Sequence, residues 1–331
     1  MDLDAYAAAH RDEWNRLAEL GKRGTLTGPE ADELIDRYQS GATQLSAIKT
    51  TSGQSPQAER LSLYLSRARL RFTGVSAGAL EQFLRFFAVQ LPAALFRIRW
   101  LCLAVTLACF AVGAAYAWWG MSNPQVLATL GDPRALEQYA REDFVNYYSE
   151  NSGGAFTSFV WTNNAWLATQ CVAFGIIGVY APYLLFSNAQ QLGLTAAIME
   201  DADRLDVFFL YIAPHGQLEL YSIFVAGATG MRIFWAWVAP GARTRGQALA
   251  EDGRALFTVA VGLILALLVS GLIEGWVTRQ EWPWVVKIGI GSIALASFLV
   301  YQWVVGRRAF RSGETGDLDE FEAGAKRLIA G

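Results

Sequence analysis

From Trp100 onward the chain is a succession of apolar runs, several approaching the roughly 20 residues a helix needs to cross hydrocarbon. Runs of that length and number read as membrane helices. The predicted fold is therefore all-α: a polytopic membrane helix bundle of about six segments behind a soluble N-terminal helical domain.

Composition removes several function classes. The formal net charge of −3 is too small to attract nucleic acid, and the basic emphasis sits beside the apolar runs, so no nucleic-acid partner is expected. Cys102 and Cys109 lie seven apart in one predicted helix and Cys171 in another, without the spacing of a zinc site or disulfide framework; they read as small packing residues. Met1 to Gly21 is polar and mixed in charge, unlike a secretory signal, which predicts a chain that begins in the cytoplasm.

Residues 1–99 read as a cytoplasmic helical domain, 100–305 as the membrane domain, and 306–331 as a cytoplasmic tail. In the first part Trp14, Leu17 and Leu20 have helical spacing. Thr27-Gly28-Pro29-Glu30 carries a capping-box pattern, and Ser55-Pro56 repeats the order of cap then proline, predicting helices near 29–50 and 55–72. Between Ala77 and Arg99 an apolar stripe of Leu80, Leu84, Phe87 and Leu91 runs beside Arg85, Arg97 and Arg99. Two readings stand: an amphipathic helix along the inner interface, or a core helix of the soluble domain running into the first span.

Charge sets the expected topology. Arg97 and Arg99 send a first span, 100–120, outward by the positive-inside rule. The outer segment 121–155 is acidic, with Arg134 and Arg141 against Asp132, Glu137, Glu142, Asp143 and Glu150. Spans near 157–180, 181–199 and 207–238 return the chain to Arg243, Arg245 and Arg254. Two more, 255–277 and 284–305, end at Arg307-Arg308, leaving both termini cytoplasmic. Pro182 and Pro214 offer an alternative in which 181–199 and 207–238 are re-entrant, which membranes tolerate where backbone faces protein or water.

Within this frame Pro214-His215-Gly216-Gln217-Leu218-Glu219-Leu220 puts an imidazole and a carboxylate inside an apolar run. An ionisable group at membrane depth costs at least a few kcal/mol and persists where it meets a partner or a water-filled cavity. At about 1.5 Å per residue, Asn163 and Asn164 fall roughly 10 Å below the outer surface and His215 and Glu219 roughly 12 to 20 Å. Asn188, Gln190 and Gln191 lie mid-segment, and Glu274 falls in the last turn of the fifth span. A shared polar cavity open to the outside is the simplest inference.

His215 and Glu219 share a helix face, where the carboxylate could hold the imidazole in one tautomer. Adjacent Asn163 and Asn164 point about 100° apart, so only one can face a common site. Glu274 reads as an ion pair with Lys287 across the short turn between the last two spans. His10 is the only other histidine and reads as surface. No metal ion or other cofactor is expected, because zinc lacks a full ligand set, although Glu274 or an Asn could complete an oxygen-rich one. Ala226-Gly227-Ala228-Thr229-Gly230 is a small-residue patch suited to close helix packing.

Three blocks in order resemble the stage II sporulation protein M family of integral membrane proteins. They are Asn163-Asn164 with Phe174-Gly175-Ile176-Ile177-Gly178 and Asn188 to Gly193; Ala213 to Leu220 running on to Ala226 through Arg232; and Gly271-Leu272-Ile273-Glu274-Gly275-Trp276-Val277-Thr278. The chain departs from the family at Asn188-Ala189, where Asn-Gly is usual. The resemblance implies a bacterial cytoplasmic-membrane protein that acts as a non-enzymatic scaffold or accessory for membrane or envelope partners, and it brings no catalytic residue. Two other expectations rest on the polar residues themselves: a conduit or lipid-handling protein with an outward-opening cavity, and an intramembrane hydrolase using His215 and Glu219. The lipid bilayer is the expected environment, and self-association as a homo-oligomer is left open.

Overall fold

A computed structural model describes residues 3–52, 55–72, 79–148, 152–314 and 316. The described residues are helices and their connections, with no strand among them. They form two compact units, Met1–Phe83 and Leu84–Gly331.

The first unit contains α1 (Leu3–Ala9), α2 (Arg11–Lys22), α3 (Gly28–Ser52) and α4 (Pro56–Phe72). The Glu30 carboxylate reaches back to the Thr27 backbone N–H at 2.9 Å, and Ser55 Oγ accepts from the Ala58 N–H at 3.2 Å. Both contacts satisfy amide groups that a helix start leaves unpaired. The core joins Trp14, Leu17 and Leu20 to Leu34, Ile48, Leu61 and Leu65. Burying a side chain such as Leu20 contributes about 1.5–3 kcal/mol, enough for a few of them to outweigh the weak helix–coil preference of each isolated segment. His10 is half-buried; its Nδ1 lies 2.9 Å from the Tyr6 carbonyl and its ring stacks between Tyr6 and Trp14.

The second unit is built on α5 (Leu91–Arg97), α6 (Arg99–Ser122), α7 (Gly153–Ala173), α8 (Tyr180–Asp201), α9 (Leu205–Val238), α10 (Arg245–Thr278) and α11 (Trp284–Arg311). Three of them, α6, α10 and α11, are long and apolar enough to cross a membrane. Their outward faces carry large exposed apolar side chains, among them Trp100, Leu107, Phe257, Trp276 and Ile293. Helix α9 packs against α6, α7, α8, α10 and α11 and is the axle of the unit.

The juxtamembrane stretch divides instead of following one of its two expected readings. Leu80, Phe83 and Leu84 are exposed, whereas every residue from Leu91 to Phe96 is buried in the second unit. Gly262 admits the Leu91 side chain, and Gly306 lets α11 lie against the Pro92 carbonyl. The part of this stretch at 77–78 lies outside the described residues, as do 149–151 of the segment expected to lie outside and 315 and 317–331 of the expected tail.

Neither proline interrupts its segment. Pro182 sits in the first turn of α8, where its missing N–H has no helical acceptor to lose. Pro214 lies inside the 34 residues of an unbroken α9. Around it α9 and α11 pack closely: Gly291 of α11 allows contact with the Pro214 carbonyl, and Gln217 Nε2 of α9 donates to the carbonyls of Ala213 and, on α11, Ile288 at 3.0 and 3.3 Å.

Near the other end of α9, Asp252 of α10 is 1% exposed and accepts from three guanidiniums: Arg97, Arg232 at 3.2 Å and Arg243 at 3.4 Å. Three elements are tied there by one carboxylate. The small-residue patch performs the packing expected of it, because a side chain on Gly230 would enter the Cys171 carbonyl and one on Gly227 would enter Leu185. Cys102, Cys109 and Cys171 are free and buried.

Candidate functional site

The polar centre is assembled by α7, α9 and the end of α10. The last turn of α10, Ile273–Thr278, is wound wider than an α-helix, with hydrogen bonds spanning five residues. Such a turn inserts one residue and re-aims the side chains around it. Gly275 lets α7 approach this turn closely, since a Cβ there would enter the Thr157 hydroxyl. Thr157 Oγ1 in turn donates to the Gly271 carbonyl at 3.1 Å. The result is a Glu274 side chain directed inward onto α9.

There it meets His215. Imidazole Nε2 lies 3.6 Å from Glu274 Oε1, and Nδ1 lies 3.3 Å from Thr278 Oγ1. Thr278 Oγ1 is itself 3.5 Å from the Ile273 carbonyl, an acceptor for its hydroxyl proton. In the tautomer protonated at Nδ1, that N–H donates to Thr278 and Nε2 presents a lone pair to the carboxylate; in the other, Nε2–H faces Glu274 and Nδ1 accepts from Thr278. Glu219, one turn along α9, is held separately: Ser270 Oγ is shared between the His215 carbonyl at 3.0 Å and Glu219 Oε2 at 3.4 Å, and Asn164 hydrogen-bonds the same carboxylate.

His215, Glu219 and Glu274 each offer a ligand-type atom, and the three atoms lie within 4.8 Å of one another. His215 and Glu274 are 4% and 3% exposed. Glu274 Oε2 is buried without a hydrogen-bond partner among the described residues. A bare buried acceptor costs about 1–3 kcal/mol, and more when charged.

Beside this cluster is a cavity of about 560 Å³ lined by His215 and Glu219 together with Asn188, Gln191, Thr195, Asp143 and several aromatic residues. Much of its aromatic wall, Tyr139, Phe144, Tyr147 and Tyr148, comes from the segment between α6 and α7. Phe144 stacks on Phe208, and Tyr148 packs on Tyr211 at 4.9 Å and reaches the His215 ring at 6.2 Å. The segment expected only as an acidic loop is thus a folded cover over the start of α9.

Of the candidate residues, His215, Glu219, Glu274 and Asn164 converge, and Asn188 lines the adjoining cavity. Asn163 is exposed. Glu274 makes no pair with Lys287, whose ammonium lies over the Tyr211 ring at 5.2 Å. Nor does Glu219 orient the imidazole, because the wide turn brings Glu274 and Thr278 to its two nitrogens. Ser270 and Tyr148 escaped the sequence reading, and Thr278 entered it only as the end of a family block without a role. Small hydroxyls in an apolar run resemble ordinary helix packing, and Tyr148 lies far away in the chain.

The family model for stage II sporulation protein M matches residues 106–279, more than half of the chain. The chain belongs to that family. The matched span opens in α6 and closes just after Thr278, so all of the polar centre falls inside the family region. Residues 4–74, covering α1 to α4, match a domain of unknown function (DUF8413). No curated protein and no solved structure matches the chain.

Proposed function

We propose that this stage II sporulation protein M family member is a multi-pass protein of the bacterial cytoplasmic membrane whose polar centre and cavity receive a small polar ligand or a lipid head group from the outer side. The observation that carries this reading is the convergence of His215, Glu219, Glu274 and Asn164 from three helices onto one place beside an open cavity lined by both polar and aromatic side chains. A clasp that merely tied helices together would need neither the cavity nor the unpartnered Glu274 oxygen. Six crossings with both termini cytoplasmic agree with the basic clusters at Arg97, Arg243 and Arg307-Arg308. Head-group handling is tested by lipid exchange or small-solute flux in proteoliposomes of the full chain. Activity in the parent that drops about tenfold or more in Glu219→Gln supports it; an inert parent removes it.

A second reading, a non-enzymatic scaffold for membrane or envelope proteins, draws support from family membership and from the folded outer segment. That segment presents exposed Asp132, Glu137 and Glu142. Co-purification of partners with the parent and with a Glu137→Lys, Glu142→Lys variant tests it, and unchanged recovery counts against this surface. The hydrolase expectation gains little, because Ser270 addresses the His215 carbonyl instead of its ring.

A further inference from the structure

We propose that His215, Glu219 and Glu274 form a binding site for one first-row divalent cation, of the Mn²⁺ or Zn²⁺ class. The inference rests on the cavity reading and deepens it, since a cation here would anchor the anionic part of whatever the cavity receives. Two carboxylates share a buried space with an imidazole lone pair. All three are electron-pair donors, and among the described residues no lysine or arginine forms an ion pair with either carboxylate. With both carboxylates ionised and Nε2 unprotonated, this arrangement is repulsive until a positive centre enters it. One cation turns every member of the set into an attractive contact.

The geometry has the proportions of a ligand set. Two donors each about 2.1 Å from an ion at a tetrahedral angle stand about 3.4 Å apart. Nε2 and Glu274 Oε1 are 3.6 Å apart, and the third donor lies within the 4.8 Å that spans the group.

The surroundings also match. Metal-bound histidines nearly always pass their other ring nitrogen to a hydrogen-bond acceptor, which fixes the tautomer; Thr278 Oγ1, 3.3 Å from His215 Nδ1, stands where that acceptor would be. Ser270 and Asn164 hold Glu219 in the same sense. Glu274 Oε2, buried and unpartnered, is an independent sign that a group belongs in the space it faces. The adjoining cavity, lined by His215 and Glu219, gives the ion a path and leaves coordination positions for water or a ligand. One nitrogen with two carboxylate oxygens suits borderline and harder ions in preference to Cu⁺.

The test uses the full chain in detergent micelles, stripped with chelator and titrated with Mn²⁺ by calorimetry and electron paramagnetic resonance, and with Zn²⁺ by calorimetry. One ion per chain is expected, weakened at least tenfold in Glu274→Gln and Glu219→Gln. Thr278→Val, which keeps all three donors, should weaken binding about 10- to 100-fold. No stoichiometric binding by the parent, or equal binding by the Gln variants, overturns the proposal. If the Gln variants do not fold, the parent and Thr278→Val decide it. The rival occupant is a proton on Glu274: an infrared carboxylic-acid band absent from Glu274→Gln and unchanged by added metal would sink the site. Lipid exchange that persists in chelator would leave the cavity reading standing and remove the cation. Stoichiometric ion binding in a protein without exchange or flux would do the reverse.

Discussion

At the scale of single residues, the polar centre depends on hydroxyls as much as on its ionisable groups. Ser270 is fully buried and serves both the backbone and the side chain of neighbouring turns of α9. Ser270→Ala should lower stability by about 1–3 kcal/mol, the cost of leaving buried acceptors short of a donor, read as a reduced melting temperature in detergent. An unchanged melting temperature would mean that Glu219 has found water instead. His215 and Glu219 were legible in the sequence because charge in an apolar run has few explanations. The partnership between them was not. A pair four residues apart looks self-sufficient, and Glu274 stood near Lys287 along the chain, so both apparent solutions were local. The actual one joins α9 to α10 through a wide turn that leaves no mark in hydrophobic periodicity.

At the scale of elements, close approach is set where side chains are missing. The contact of Gly230 with the Cys171 carbonyl has no room for a methyl group, whereas Gly246 faces open space. Gly230→Ala should therefore cost about 1–3 kcal/mol by overpacking and reduce the monodisperse fraction in size-exclusion chromatography, with Gly246→Ala as a silent control. Equal behaviour of the two would refute the packing argument. In the first unit the ties are ionic: Arg16 and Arg37 bond Glu33 and hold its carboxyl at about 2, below its ordinary 4.5, and Arg16 and Arg23 likewise lower Glu19. A depressed carboxyl favours the fold above its unfolded value and ceases to do so as pH falls through the folded one. Pepsin cleavage within α3 of the full chain should accordingly accelerate between pH about 4.5 and 2, beyond the change shown by an unstructured substrate, and less so in Glu33→Gln. The helix starts at Thr27 and Ser55 were readable from cap chemistry. The burial of Leu91 to Phe96 was not, because their partners lie on α10 and α11.

At the scale of the whole molecule, the apolar runs announced the class of fold, and three helices meet the length and composition for crossing. The positions of α7, α8 and α9 were readable as segments, but their mutual arrangement depends on contacts between residues far apart in the chain. Orientation is open to a direct test. All three native cysteines are buried, so Glu137→Cys and Arg245→Cys act as single reporters. A membrane-impermeant maleimide applied to intact cells or inner-membrane-sealed spheroplasts should label residue 137, and residue 245 only after permeabilisation. The opposite pattern would invert the topology and place the cavity on the cytoplasmic side.

The wide turn at Ile273–Thr278 holds one residue more than a regular helix would. Removing a single residue there would let the ladder close normally, leaving the helices on either side in register but changing which of residues 273–278 face α9. Glu274 or Thr278 would then leave the imidazole with no polar residue having been substituted. Chain length in this one turn is therefore a coordinate of the site, and relatives that differ by a one-residue gap at this place would keep the bundle while losing its centre.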